Sequence, residues 1–116
     1  MTLDQLQTDI DNWIRTYGVR YFNEMTNLAA LMEEVGELSR LFAREYGEQS
    51  YKRGKEPDDV KSDIANEMSD VLFVLVCLAN QTGINLSEAM YANLQKKTGR
   101  DQTRHHENDK LQDPTQ

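Results

Sequence analysis

A run of nine apolar residues, Val71 to Ala79, is the feature that most limits how this chain can fold. The run is well short of the ~20 residues that a membrane-spanning helix needs, so we expect it inside a protein core and expect no membrane segment. The residues around it place apolar side chains three and four positions apart, as one face of a helix requires. They are Val60, Ile64, Met68, Val71, Leu75 and Leu78. The pattern predicts a helix from about residue 60 to Gly83 that is deeply buried in its second half.

The N-terminal segment has the same periodicity. Its apolar residues, which include Trp13 and Tyr17, predict a helix over about residues 3–17 with this stripe against the core. Thr2 and Gln5 have the spacing of a capping box. Gly18 can adopt the left-handed conformation that ends a helix.

Two more helices complete the predicted fold. One covers about residues 26–46, with an apolar arc made by Leu28, Leu31, Val35, Leu38 and Phe42. The other begins after Asn85 and ends at Gly99. Residues 50–59 have no apolar periodicity and include Gly and Pro, so we expect a polar loop there. Together these patterns predict an all-α fold, a four-helix bundle followed by a polar C-terminal tail.

Acidic residues recur with one spacing on two of the predicted helices. Glu34 and Glu37 are three residues apart on the second helix, and Glu67 and Asp70 repeat that spacing on the third. At 100° per residue, each pair lies on one shoulder of the apolar stripe of its helix, whereas Glu33 lies opposite the stripe. If the two helices pack antiparallel, the four carboxylates converge. Their repulsion then calls for a divalent cation, and an all-oxygen donor set suits Mg²⁺ or Mn²⁺ better than Zn²⁺.

The overall charge narrows the classes of partner. Asp and Glu outnumber Lys and Arg by 20 to 13, giving a net charge of −7, which argues against nucleic acid as a partner. Carboxylates that hold a cation can still bind a small phosphorylated ligand.

The N-terminus has no apolar leader, so we expect the protein in the cytoplasm. The single cysteine, Cys77, lies in the apolar run, where a buried and inert thiol is expected.

The acidic residues also allow interpretations other than a metal site. The acids could belong to solvated helix faces, or to a non-enzymatic acidic helical interaction module that binds a basic partner. A di-iron carboxylate bundle would need Glu-x-x-His pairs, and the residues at the third position after Glu34 and Glu67 are acidic instead.

The segments Glu33-Glu34-Val35-Gly36-Glu37 and Glu67-Met68-Ser69-Asp70 resemble the paired EExxE and ExxD motifs of the MazG-like nucleotide pyrophosphohydrolases. The resemblance extends over about residues 17–104. It implies an all-α domain over residues 1–104 with a polar tail over 105–116, assembled as a homodimer or homotetramer. It also implies Mg²⁺-dependent hydrolysis of (deoxy)nucleoside triphosphates to monophosphate and pyrophosphate, as a house-cleaning reaction of the nucleotide pool.

The same resemblance assigns roles to individual residues. The metal ligands, for Mg²⁺ or for Mn²⁺ in its place, correspond to Glu34, Glu37, Glu67 and Asp70. The catalytic residue that orients or deprotonates the attacking water is left open between Glu33 and Glu34.

Two further groups are assigned to the substrate. Lys96, Lys97 and Arg100 correspond to residues that contact the phosphates, although basic residues also suit the end of a helix through its macrodipole. Asn23 and Asn27 correspond to residues near the base or sugar. Asn27 could equally satisfy backbone donors at the start of its helix.

Overall fold

The structure, a computed structural model, describes residues 1–112, without the side chains of residues 102, 103, 105 and 106. Its regular elements are α1 (Leu3–Trp13), a π-helical turn (Ile14–Gly18), α2 (Glu24–Glu45), α3 (Val60–Thr82), α4 (Leu86–His106) and a 3-10 turn (Asp109–Leu111). The predicted all-α class is therefore confirmed, with four α-helices and no strand within the described range. The last four residues of the predicted polar tail lie outside that range. No helix in residues 1–112 has the length and apolar character needed to cross a membrane.

The chain forms two compact units, residues 1–84 with α1 to α3 and the residues from Asn85 onward with α4. In the first unit, α3 packs against both α2 and α1. The α2/α3 pair is antiparallel, because Asn27 near the start of α2 bonds to Gln81 near the end of α3. The buried apolar residues of the described chain all lie in this unit: Ile10, Ile14, Ile64, Val76, Cys77 and Ala79.

Most of the helix ends are where the sequence signals placed them. The capping box of Thr2 and Gln5 is present at the start of α1. Asn85 accepts a hydrogen bond from the Glu88 amide at the start of α4. Gly83 ends α3 with φ 72°, the left-handed conformation that glycine adopts at little cost. After α2, a Cβ on Gly47 would lie 2.6 Å from the Ala43 carbonyl oxygen, so this turn requires glycine.

The first helical segment ends at Gly18, close to the predicted residue 17, but the prediction that Gly18 adopts the left-handed conformation is wrong. The α-helix stops at Trp13 and continues as the π-helical turn, and Val19 rather than Gly18 adopts a positive φ, of 70°. A π-helical turn bonds each residue to the one five positions away, which changes the face that later side chains present. Tyr17, within the turn, is 72% exposed and does not join the core stripe, and Trp13, just before the turn, is 49% exposed.

The predicted end of helix four is also wrong. α4 continues through Gly99 to His106. Gly99 is not among the glycines of positive φ, and an interior glycine costs a helix only about 1 kcal/mol. The long polar side chains on both sides of Gly99 are good helix formers, so the helix has no local reason to stop there.

Only part of the apolar arc of α2 is covered, because Leu31 and Leu38 are half-buried. Leu28, Val35 and Phe42 are exposed, whereas the flank that carries Asn27 and Glu34 faces α3. The apolar run of α3 is divided in the same way, because Val76, Cys77 and Ala79 are buried while Leu72 and Leu75 are about 40% exposed. The prediction that the second half of α3 is deeply buried therefore holds for one side of that helix only.

Candidate functional site

Carboxylates from α2 and α3 meet at the centre of the helix pair. Glu34, Glu67 and Asp70 each offer one carboxylate oxygen, and these oxygens lie within 4.8 Å of one another. The antiparallel packing and the equal i, i+3 spacing on the two helices bring them together, as the sequence predicted. Glu37 is outside this trio but lies beside Glu67. We refer to Glu34, Glu37, Glu67 and Asp70 as the carboxylate cluster.

Two oxygens of the carboxylate cluster are left without partners. Oε2 of Glu34 and Oε2 of Glu67 are buried and have no hydrogen-bond partner. An unsatisfied buried acceptor costs ~1–3 kcal/mol, and more when it is charged. A cation in contact with these oxygens would remove the cost, and hard oxygen donors of this kind fit Mg²⁺, Mn²⁺ or Ca²⁺. The residues present therefore fit a divalent metal ion.

The crowding of the cluster also raises the pKa of two of its carboxyl groups. Burial, followed by the charges of Asp70 and Glu37, raises the pKa of Glu34 above its ordinary value. Burial, followed by the charge of Glu37 and a hydrogen bond with it, raises the pKa of Glu67. Both shifts have the same physical cause, because removing a carboxylate from water and placing it near others disfavours the ionised form.

An apolar cavity of about 310 Å³ lies next to the cluster in the first unit. Its lining includes Trp13, Ile14, Phe22, Ala30, Phe73 and Val74. Ala30 is four residues before Glu34, and Val74 is four residues after Asp70, so the cavity begins one helical turn from the carboxylates. Phe73 also meets the Trp13 ring edge-on, with the ring centroids 5.6 Å apart.

Side-chain amides fix the loop that closes this cavity. Gln81 donates to the Phe22 carbonyl oxygen at 2.6 Å, and Asn27 donates to the Gln81 side-chain oxygen at 2.7 Å. One residue earlier, the Tyr21 hydroxyl donates to Asp11 at 2.6 Å. Burial and this bond to Asp11 raise the pKa of Tyr21 to about 12, so Tyr21 stays protonated as a donor.

The two asparagines predicted near the base or sugar therefore have structural contacts. Asn23 is the N-cap of α2 and accepts from the Thr26 amide at 2.8 Å. Asn27 is buried, and its amide nitrogen also lies 3.4 Å from the Phe22 carbonyl oxygen. Both residues lie at the junction of the closing loop and α2, and Asn27 lines the apolar cavity.

On the opposite side of the cluster is a second cavity, of about 290 Å³, that includes two arginines. Arg40 and Arg44 contribute to its lining together with Glu37 and Glu67. Sequence reasoning missed both arginines. Their i, i+4 spacing on the flank that carries Glu37 was the available signal.

The other predicted site residues are exposed. Glu33 is exposed on α2. Lys96, Lys97 and Arg100 are exposed on α4, which belongs to the second unit. Arg100 makes a double hydrogen bond with the carboxylate of Asp101, at 2.8 and 3.0 Å.

An all-helical chain in which carboxylates from two antiparallel helices surround a site fit for a divalent cation has the features of a metal-dependent phosphohydrolase. Residues 22–105 match the sequence model of the MazG nucleotide pyrophosphohydrolase domain. The chain belongs to the MazG family, whose members hydrolyse pyrophosphate bonds of nucleotides.

Similar proteins agree with this assignment. The chain is 41% identical over 103 residues to the uncharacterized protein YpjD of Bacillus subtilis strain 168, covering 89% of each protein. The crystal structure of YpjD, described as a proposed pyrophosphatase, superposes with a TM-score of 0.73 at 38% identity, over 83% of this chain and 94% of that one. A Bacillus-conserved MazG protein, described as a nucleotide pyrophosphohydrolase, gives a TM-score of 0.67 at 32% identity, over 83% and 88%.

Proposed function

We propose that this protein hydrolyses (deoxy)nucleoside triphosphates to monophosphate and pyrophosphate with Mg²⁺, or Mn²⁺ in its place, and so removes unwanted nucleotides from the pool. The observation that carries the proposal is the meeting of Glu34, Glu67 and Asp70, with two buried oxygens that lack partners. Membership of the MazG family supports the reaction class. In this proposal the four residues of the carboxylate cluster are the metal ligands.

In this proposal the cluster has two catalytic roles, binding the cation and accepting the proton of the attacking water. A divalent cation held by the carboxylates would supply positive charge to the phosphate oxygens. For the proton of the attacking water, we propose Glu34 or Glu33 as the acceptor. Glu34 belongs to the cluster and would lie beside the cation and its water, whereas the exposure of Glu33 leaves it accessible to water.

The rest of the nucleotide requires an apolar site and cations. The apolar cavity beside the cluster is suited to a nucleobase, because its aromatic and aliphatic lining can pack against a flat ring. Asn23 and Asn27 would act at this end, near the base or sugar. Lys96, Lys97 and Arg100 are proposed to contact the phosphates.

We also propose that the chain assembles as a homodimer or homotetramer. On α2, three exposed apolar residues lie within about 60° of one another on the helix, and three on α3 do the same. They are Leu28, Met32 and Val35, and Met68, Leu72 and Leu75. Because the helices are antiparallel, both sets lie on one side of the pair, away from the carboxylates. A continuous apolar surface of this kind commonly marks an interface, and a second copy of the chain is the proposed occupant.

The decisive experiment is a screen of canonical and damaged nucleoside triphosphates with MgCl₂, with separation of the products. We expect monophosphate and pyrophosphate. In oxygen-18 water the label should appear in the monophosphate, because attack at the α-phosphorus leaves the new oxygen there. Diphosphate and orthophosphate as first products would contradict the proposal. The alternative, a non-enzymatic acidic interaction module, is favoured if neither MgCl₂ nor nucleotides change the thermal stability.

A further inference from the structure

The cavity that contains Arg40 and Arg44 shares two residues with the carboxylate cluster. Glu37 and Glu67 belong to the lining of the cavity as well as to the cluster, so the two sites are continuous. Leu41, Asp63 and Asn66 complete the lining. Any molecule bound at the carboxylates therefore has space to extend towards the arginines.

Helix geometry places the apolar cavity and the arginines on one flank of the α2/α3 pair. Along α2, Ala30 precedes Glu34 by about 6 Å, and Arg40 follows Glu34 by about 9 Å. The corresponding residues of α3 occur in the reverse order, with Val74 beside the apolar cavity and Asn66 beside the arginines. The flank thus presents an apolar site, then carboxylates, then cations. This order matches the order of groups in a nucleoside triphosphate, from base to terminal phosphate.

The two arginines are not paired with the acids around them. Among the side chains that the structure describes, the ion pairs involve Arg15, Arg100 and Arg104. Arg40 and Arg44 are one helical turn apart, so their guanidinium groups can approach one anion together. Guanidinium groups bind phosphate through paired N–H donors, which makes arginine well suited to this ligand.

We propose that Arg40 and Arg44 bind the β- and γ-phosphates of the substrate and hold them as the pyrophosphate leaving group. This inference rests on the proposed function and adds the orientation of the substrate, with its nucleoside end in the apolar cavity. During hydrolysis the water oxygen bonds to the α-phosphorus and its proton passes to a carboxylate. The bond from the α-phosphorus to the bridging oxygen breaks, and its electron pair stays on the pyrophosphate. The two arginines face the group on which this negative charge grows.

A simpler explanation accounts for only one of the two residues. Arg44 is in the last turn of α2, where a cation is favoured by the helix macrodipole whatever the ligand. Arg40 is outside that turn, so the macrodipole does not explain it. The explanations differ in what they predict for ligand binding.

The test is calorimetric titration of inorganic pyrophosphate and of a nucleoside monophosphate into the full-length protein in MgCl₂. We expect Arg40→Gln and Arg44→Gln each to weaken pyrophosphate binding by about tenfold, and the double variant by about a hundredfold, since each substitution removes charge-assisted hydrogen bonds to the phosphates. Monophosphate affinity should change less than about twofold. Arg44→Lys keeps the charge but not the paired donors and should fall between wild type and Arg44→Gln.

The matched control is Lys61→Gln, which removes one positive charge from an exposed position near the start of α3. This is the end of α3 that carries Asp63 and Asn66, which line the cavity with the two arginines. Lys61 lies about 120° around the helix from Glu67 and does not line the cavity, so its variant should bind pyrophosphate as wild type does. A double arginine variant with wild-type pyrophosphate affinity would overturn the proposal even if the enzyme still releases pyrophosphate. Arginine-dependent pyrophosphate binding without triphosphate hydrolysis would support this subsite and contradict the proposed function instead.

Discussion

Replacing Glu67 by Gln should stabilise the metal-free protein. Glu67 has a buried oxygen with no partner, and its carboxyl group lies against that of Glu37. Glu67 can donate to Glu37 only when it is protonated, and it repels Glu37 when it is ionised. A Gln amide in the same place can donate at any pH, so above the raised pKa of Glu67 the substitution exchanges a repulsive contact for a hydrogen bond. The net gain of one such bond is about 1 kcal/mol, which in a unit of this size raises Tm by about 4–8 °C.

The assay is thermal unfolding followed by circular dichroism, once in EDTA and once in excess MgCl₂. In EDTA, the Glu67→Gln variant should melt above wild type. In MgCl₂, the wild type should gain stability because the ion binds the folded state, and the variant should gain much less. Glu33→Gln is the control, since Glu33 is exposed on α2 and its variant should follow wild type in both buffers. A variant that melts below wild type in EDTA, or that responds fully to MgCl₂, would refute the reasoning.

Three further predictions concern activity, pH and assembly. Asp70→Asn and Glu37→Gln should each lower pyrophosphate release at least ~10-fold, because each removes a proposed metal ligand, and should leave the circular dichroism spectrum unchanged. Wild-type turnover by a folded variant would exclude that role. The metal-free protein should lose stability as pH rises from the ordinary carboxyl pKa through the raised pKa values of Glu34 and Glu67. The reason is that the folded state binds more protons than the unfolded state in this interval. Thermal unfolding in EDTA across that pH range tests whether stability falls as expected. Light scattering should give a mass above the 13.4 kDa of one chain, and Leu72→Glu should reduce it towards that value; a wild-type monomer would contradict the proposed assembly.

The sequence predicts the paired helices and their acids well because those signals are local. Apolar periodicity and terminal residues define α2 and α3 to within about two residues. The i, i+3 spacing on both helices predicts that carboxylates meet once the helices pack antiparallel. The structure brings Glu34, Glu67 and Asp70 together in this way.

Other features depend on neighbours that no local pattern reveals. Periodicity identifies an apolar face but not what covers it, so it does not reveal that only part of the apolar arc of α2 is covered. The π-helical turn that moves Tyr17 outward has no residue signature of its own. Gln81, Arg40 and Arg44 are ordinary polar helix residues until the partner helix and loop are in position. Gly99 does not end α4, because glycine permits a helix end without requiring one.

The position of Cys77 gives the protein a built-in reporter of its own motion. It is the only cysteine of the chain, it is 3% exposed, and it lines the apolar cavity. Burial raises the pKa of its thiol, and only the thiolate reacts readily with alkylating reagents. Alkylation therefore has to wait until the cavity opens, and a reagent of known intrinsic reactivity converts the labelling rate into the free energy of that opening. Because there is no second thiol, a single kinetic phase can be read from the intact mass of the protein, without mutation or an added probe.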